Sequence, residues 1–149
     1  MSRTDARIAA VRRFNRFYTR QIGVLRKTFL DSPYSLAEAR VLYEIANDHS
    51  TTASEIGRKL DLDAGYLSRT LRTFEKRGLI IRKRSARDAR QSHLALSPRG
   101  RRAFAPLEER SQRDAEAMLG KLAIGVRTRL IGAMHTIETL LSGETAAIK

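Results

Sequence analysis

Apolar residues recur at spacings of three and four near the start of the chain. Ile8, Val11, Phe14, Tyr18, Ile22, Leu25 and Phe29 share one face of a helix predicted from about Thr4 to Leu30 and stopped by Pro33. Ser35-Leu-Ala-Glu38 then has the form of a capping box, in which hydroxyl and carboxylate satisfy orphan amides reciprocally, and it opens a second helix to about Asn47. Thr52-Ala-Ser-Glu55 repeats the start signal for a short third helix ending near Leu60. Asp61-Leu-Asp63 makes a tight turn, Asp63 caps a fourth helix from Ala64 to about Arg77, and Gly78 closes it. Two short helices joined by three residues outline a helix-turn-helix.

After Gly78 the pattern changes from helical to extended. Leu79–Arg84 and Ser92–Leu96 read as two short strands around the polar, basic stretch Ser85–Gln91, a hairpin with a charged tip, or wing. Ser97-Pro98 supplies an N-cap and a first-turn proline for a fifth helix through about Leu119, which Pro106 should bend or break because it removes one ladder amide. A sixth helix from about Ile124 to Leu141 carries Val126, Leu130, Met134, Ile137 and Leu141 on one face. No repeat interrupts this order, and residues 142–149 read as a tail.

Charge sharpens the picture. The 149 residues hold 29 Lys and Arg against 16 Asp and Glu, a net +13, which calls for a polyanionic partner. Between Arg58 and Arg102 there are 14 basic and four acidic residues, so +10 of that excess lies in the third and fourth helices, the hairpin and the start of the fifth helix. A hydrophobic fraction of 42% separates the chain from basic disordered tails. The lack of cysteine excludes disulfides, thiolate nucleophiles and Cys-based zinc sites. No apolar run approaches the roughly 18 residues of a membrane span, and a cytoplasmic location is expected.

The fourth helix divides cleanly. Leu67, Leu71 and Phe74 form the stripe predicted to be buried; Gly65, Arg69, Arg72, Thr73 and Lys76 lie opposite, with Tyr66 and Ser68 on the flanks. Such a face suits a DNA major groove: Arg can fork onto guanine acceptors, Ser can donate or accept, and a small residue at 65 lets the helix start approach a phosphate. Glu75 and Arg77 are assigned to intramolecular pairing or solvent. On the wing, Arg84, Arg87 and Arg90 can reach the backbone or a minor groove, and Asp88 pairs with a neighbouring Arg to shape the loop.

The run Tyr66-Leu-Ser-Arg-Thr-Leu-Arg-Thr-Phe-Glu-Lys-Arg-Gly-Leu-Ile80, then Asp88-Ala-Arg90, then Leu96-Ser-Pro-Arg-Gly100, resembles the signature of the MarR family of winged-helix transcriptional regulators. Three positions depart from it: Phe74 where Leu or Met is usual, Ser97 where Thr is usual, and Ala89 where a basic or polar residue is usual. Ala89 removes one phosphate contact. Val11–Arg20 and Asp63–Arg69 also resemble the regulator half of proteins that fuse a MarR-like domain to a GNAT acetyltransferase. The phosphate-cradling loop of that enzyme half has no counterpart, since no Gly-x-Gly occurs in the sequence.

The expected fold is mainly α: a winged helix-turn-helix over 35–97 with a small two- or three-stranded β-wing, and long N- and C-terminal helices over 1–34 and 98–141. The apolar faces of the outer helices must be buried, either within one chain or between two. A helix-turn-helix reading two-fold-symmetric DNA gains from the second arrangement, and the resemblance implies a homodimer built on the first, fifth and sixth helices. It also implies a small phenolic or anionic ligand where those helices meet the winged domain, with Arg16, Tyr18, Arg20 and Tyr43 as candidates for its pocket, alongside Arg26 and His49.

An enzyme is disfavoured. The three histidines, His49, His93 and His135, are far apart, and there is no His-Glu-x-x-His, Gly-x-Ser-x-Gly or phosphate loop, so no catalytic residue, metal ligand or cofactor is assigned. The expected function is a DNA-binding transcriptional regulator, a repressor of a pseudo-palindromic operator. The alternatives are the regulatory part of an acetyltransferase fusion and a sequence-tolerant architectural or RNA-binding protein. Against the last, both wing strands lack the aromatics that RNA-reading strands interleave with basic residues.

Overall fold

The computed structural model describes residues 2–23, 32–48, 51–84 and 92–143. Its elements run α1 (Arg3–Ile22), α2 (Leu36–Asn47), α3 (Ala53–Leu60), α4 (Ala64–Lys76), β1 (Ile80–Arg84), β2 (Ser92–Leu96), α5 (Pro98–Gly120) and α6 (Ile124–Ser142).

The caps explain most of these boundaries. Ser35 accepts from the Glu38 amide at 3.2 Å while the Glu38 carboxylate accepts from the Ser35 amide at 2.9 Å, completing the box that opens α2. Thr52 accepts from the Glu55 amide at 3.3 Å to start α3, and Asp63 accepts from the Tyr66 amide at 2.9 Å to start α4. Gly78 has φ +71; its amide donates to the Glu75 carbonyl and the Leu79 amide to the Phe74 carbonyl, the pair of bonds with which a left-handed glycine ends a helix. Between α3 and α4, Asp61 takes the left-handed region at φ 51, which its short polar side chain tolerates better than most.

Two features of α1 differ from expectation. α1 ends at Ile22 and not near Pro33, because Gly23 turns left-handed at φ 72 and its amide donates to the Arg20 carbonyl. Leu25 and Phe29, which continued the apolar period, lie outside the described residues. Second, α1 opens with its own capping box between Ser2 and Asp5. α5 runs as one helix through Pro106, over the span expected for it.

The chain divides into two compact units, residues 1–108 and 109–149, with α5 contributing to both. The first unit holds the core: Val41, Leu42 and Ile45 of α2, Ile56 of α3, Leu67, Leu71 and Phe74 of α4, Leu79 and Ile80, Leu94 and Leu96 of β2, and Phe104 and Leu107 of α5. β1 and β2 pair antiparallel, Ile80 opposite Leu96 through Arg84 opposite Ser92. The Leu94 amide also donates to the Thr51 carbonyl at 2.9 Å, so Thr51 sits against the other edge of β2, and among the described residues the sheet has two strands. α1 places no residue in this core.

In the second unit, the Leu122 amide donates to the Leu119 carbonyl at 3.0 Å where α5 turns into α6, and Arg127 Nε donates to the Leu122 carbonyl at 2.9 Å. α6 buries no residue. Among the described residues no helix is long and apolar enough to cross a membrane.

Candidate nucleic-acid interface

α4 is the centre of the candidate interface. Its period-3.6 stripe is fully committed to the core, with Leu67, Leu71 and Phe74 at 3%, 1% and 0% exposure, and Thr70 joins them, a position the pattern alone did not mark. The reverse face is open: Gly65, Ser68, Arg69, Arg72, Thr73 and Lys76 are exposed and Tyr66 is half-buried on the flank. A helix held this firmly by one side presents the other side in a fixed orientation, which is what base reading requires. Thr73 Oγ1 already donates to the Arg69 carbonyl at 3.0 Å, so its hydroxyl meets a ligand chiefly as an acceptor. A Cβ on Gly65 would sit 3.2 Å from Asp63 Oδ2 and 3.3 Å from an Arg69 guanidinium nitrogen, so the glycine leaves room for both the Asp63 cap and the Arg69 side chain.

β1 continues the basic surface. Arg82, Lys83 and Arg84 are all exposed, and Arg84 stands at the end of the strand leading to the wing tip. Arg87, Asp88 and Arg90 of the predicted wing lie outside the described residues. Glu75 of α4 makes an ion pair with Arg82 of β1. That agrees with the intramolecular role read for Glu75, though nothing in the sequence pattern named Arg82 as its partner.

A joint at the foot of α4 was not legible beforehand. The Ser97 hydroxyl accepts from the Gly100 amide at 2.9 Å, as an N-cap should, and also donates to the Gly78 carbonyl 19 residues earlier. The Ser97 amide donates to the Leu79 carbonyl at 2.9 Å. The start of α5 is thereby fastened to the turn that ends α4.

The four ligand candidates are not drawn into one cavity. Arg16 and Arg20 are exposed on α1, Tyr18 stacks on Phe14 with ring centroids 5.8 Å apart, and Tyr43 packs edge-on against Phe104. Arg26 and His49 lie outside the described residues. A cavity of about 300 Å³ lies beside Phe104, lined among others by Ile45, Asn47, Leu96, Arg101 and Glu108, and by none of those candidates. Among the described residues no group of His, Cys, Asp and Glu could hold a metal ion.

A buried-stripe reading helix, a preceding helix set across a three-residue turn, and a basic antiparallel hairpin define a winged helix-turn-helix of the kind found in transcriptional regulators. Residues 32–91 match the model of the MarR family. A protein of Thauera aromatica named for transcriptional regulation of the hcr operon is 28% identical over 130 residues, 87% of this chain and 72% of that protein. The regulator SarZ of Staphylococcus aureus is 32% identical over 69 residues, 46% of this chain and 47% of its own length. Among solved structures, Staphylococcus aureus MarR in complex with salicylate and kanamycin superposes with a TM-score of 0.69 at 22% identity, covering 95% of this chain and 93% of that one. FabT of Streptococcus pneumoniae in complex with DNA superposes with a TM-score of 0.63 at 21% identity, covering 99% of this chain and 100% of that one. The chain has the fold of winged-helix transcriptional regulators and is similar in sequence to regulators of the MarR type.

Proposed function

We propose that the chain binds double-stranded DNA sequence-specifically as a homodimer on a pseudo-palindromic operator, and represses transcription by occupying it. One observation carries this: the face of α4 bearing Ser68, Arg69, Arg72, Thr73 and Lys76 is exposed while the opposite stripe is wholly buried. Residues 35–97 then read DNA, and residues 1–34 and 98–141 pair two readers. Arg69 and Arg72 contact base edges, Gly65, Tyr66, Ser68, Thr73 and Lys76 complete the groove contacts, and Arg84, Arg87 and Arg90 of the wing engage the backbone. Asp88 orients one of those arginines. Half-sites would lie about one helical turn apart, roughly 34–36 Å. A chain acting on chromosomal DNA works in the cytoplasm.

The outer helices supply the argument for pairing. Ile8, Val11, Phe14 and Phe17 of α1 are 45–59% exposed, and Ile131, Leu140 and Leu141 of α6 are 52–83% exposed, far more apolar surface than a regulator presents to water when working alone. Release of the operator by a small phenolic or anionic ligand is part of the same proposal. Arg16, Tyr18, Arg20 and Tyr43 are its candidate contacts, and the salicylate bound to the structurally similar Staphylococcus aureus protein supports that ligand class.

The test is the affinity ratio between a duplex selected by the protein from a random pool and an unselected duplex, followed as salt rises. Counterion release weakens both, but base contacts keep the ratio large for a specific regulator. A ratio near one at physiological salt favours the sequence-tolerant architectural reading.

A further inference from the structure

Glu75 is the only carboxylate between Asp63 and Asp88, a stretch that holds eight Lys and Arg residues. It stands on the last turn of α4, beside Lys76 and one turn from Arg72, where a negative charge opposes attraction of any polyanion to this face. Its partner is fixed: Arg82 Nε donates to Glu75 Oε1. Strand alternation puts Arg82 on the same side of β1 as the buried Ile80, facing α4, and its cross-strand neighbour is the buried Leu94. The pair thus bridges the reading helix and the root of the wing, with side-chain exposures of 39% for Glu75 and 41% for Arg82.

An ion pair this exposed adds little to stability, because water and salt screen it and two long side chains must be held still. Its effect falls on the field at the surface. We propose that Glu75 and Arg82 form a charge latch that restrains attraction to arbitrary DNA, leaving base contacts to decide binding. With Glu75 in place, Arg82 is neutralised and takes no phosphate of its own; without that charge, Arg82 becomes one more phosphate contact. The inference rests on the DNA-binding reading above.

Three proteins test it: the unaltered chain, Glu75→Gln and Arg82→Gln, each titrated with an unselected duplex and with a duplex selected from a random pool, over a range of salt. Glu75→Gln keeps an oxygen to accept from Arg82 and removes only the charge. It is expected to melt where the unaltered chain does, to bind unselected duplex several-fold more tightly at low salt, and to steepen the slope of log affinity against log salt by about 0.9. The ratio of selected to unselected affinity falls accordingly. Arg82→Gln leaves Glu75 unneutralised and is expected to weaken binding to both duplexes. An unchanged slope and ratio in Glu75→Gln, with normal binding by the unaltered chain, overturns the latch while sparing the DNA reading. Failure of the unaltered chain to bind duplex overturns both.

Discussion

Gly100 has no space for a side chain. A Cβ there would lie 2.0 Å from the Leu79 carbonyl oxygen, a backbone atom that cannot rotate away. Gly100→Ala must therefore push α5 off the turn at the foot of α4, and it is expected to cost at least about 1–3 kcal/mol, read as a lower urea midpoint. Arg69 and Arg84 separate two kinds of contact in the proposed complex. Arg69→Ala should reduce discrimination among duplex sequences by about 1–3 kcal/mol per lost base contact, whereas Arg84→Ala should weaken all sequences alike and reduce the salt slope by about one. Equal, sequence-independent losses from both would remove Arg69 from base reading. The buried stripe and the open face of α4 were readable from period alone, since residues three and four apart share a face whatever the helix packs against. Gly100 was not: its constraint comes from Leu79, more than twenty positions earlier in the chain.

The helix starts show how far local chemistry reaches. Ser35, Thr52 and Asp63 were identifiable as caps because each bonds an amide three residues ahead, and all three do so. Asp63→Ala should cost about 1 kcal/mol by leaving the Tyr66 amide without its acceptor, and because that turn begins the reading helix, loss of stability and loss of duplex affinity should appear together in one titration series. α1 carries the acid-sensitive example. Hydrogen bonding to Ser2, through its side chain first and its amide second, holds the Asp5 carboxyl below its ordinary value. A group with a lowered folded value contributes fully above its unfolded value and loses that contribution as pH falls through the lowered one, so the first turn of α1 should fray in acid, seen as faster exchange of the Asp5 amide. The end of α1 was the weakest reading: the apolar period ran on through Leu25 and Phe29, and only the left-handed backbone at Gly23 stops the helix at Ile22.

At the scale of the whole molecule, the two outer helices decide what the chain can do alone. α1 and α6 bury no residue, although both carry the apolar periods that predict a covered face. Sedimentation at micromolar concentration is expected to find a dimer, and Phe14→Glu combined with Ile137→Glu to shift it toward monomer, since each apolar side chain removed from an interface is worth about 1.5–3 kcal/mol, roughly tenfold or more in affinity. A stable monomer of the unaltered chain would sink the homodimer.

Element order, the starts of α2, α3 and α4, the two faces of α4 and the concentration of positive charge between Arg58 and Arg102 all depend on residues close together in the chain, and the sequence was enough to read them. The folded chain alone decided which distant groups meet: Arg82 with Glu75, Ser97 with Gly78, Leu79 with the only residue type that Gly100 could be, and the Thr51 carbonyl with β2. The reason is physical. Caps and periodicity are short-range consequences of backbone geometry, whereas these contacts depend on where the hairpin returns the chain, and side-chain patterns spaced by three and four carry no record of that path.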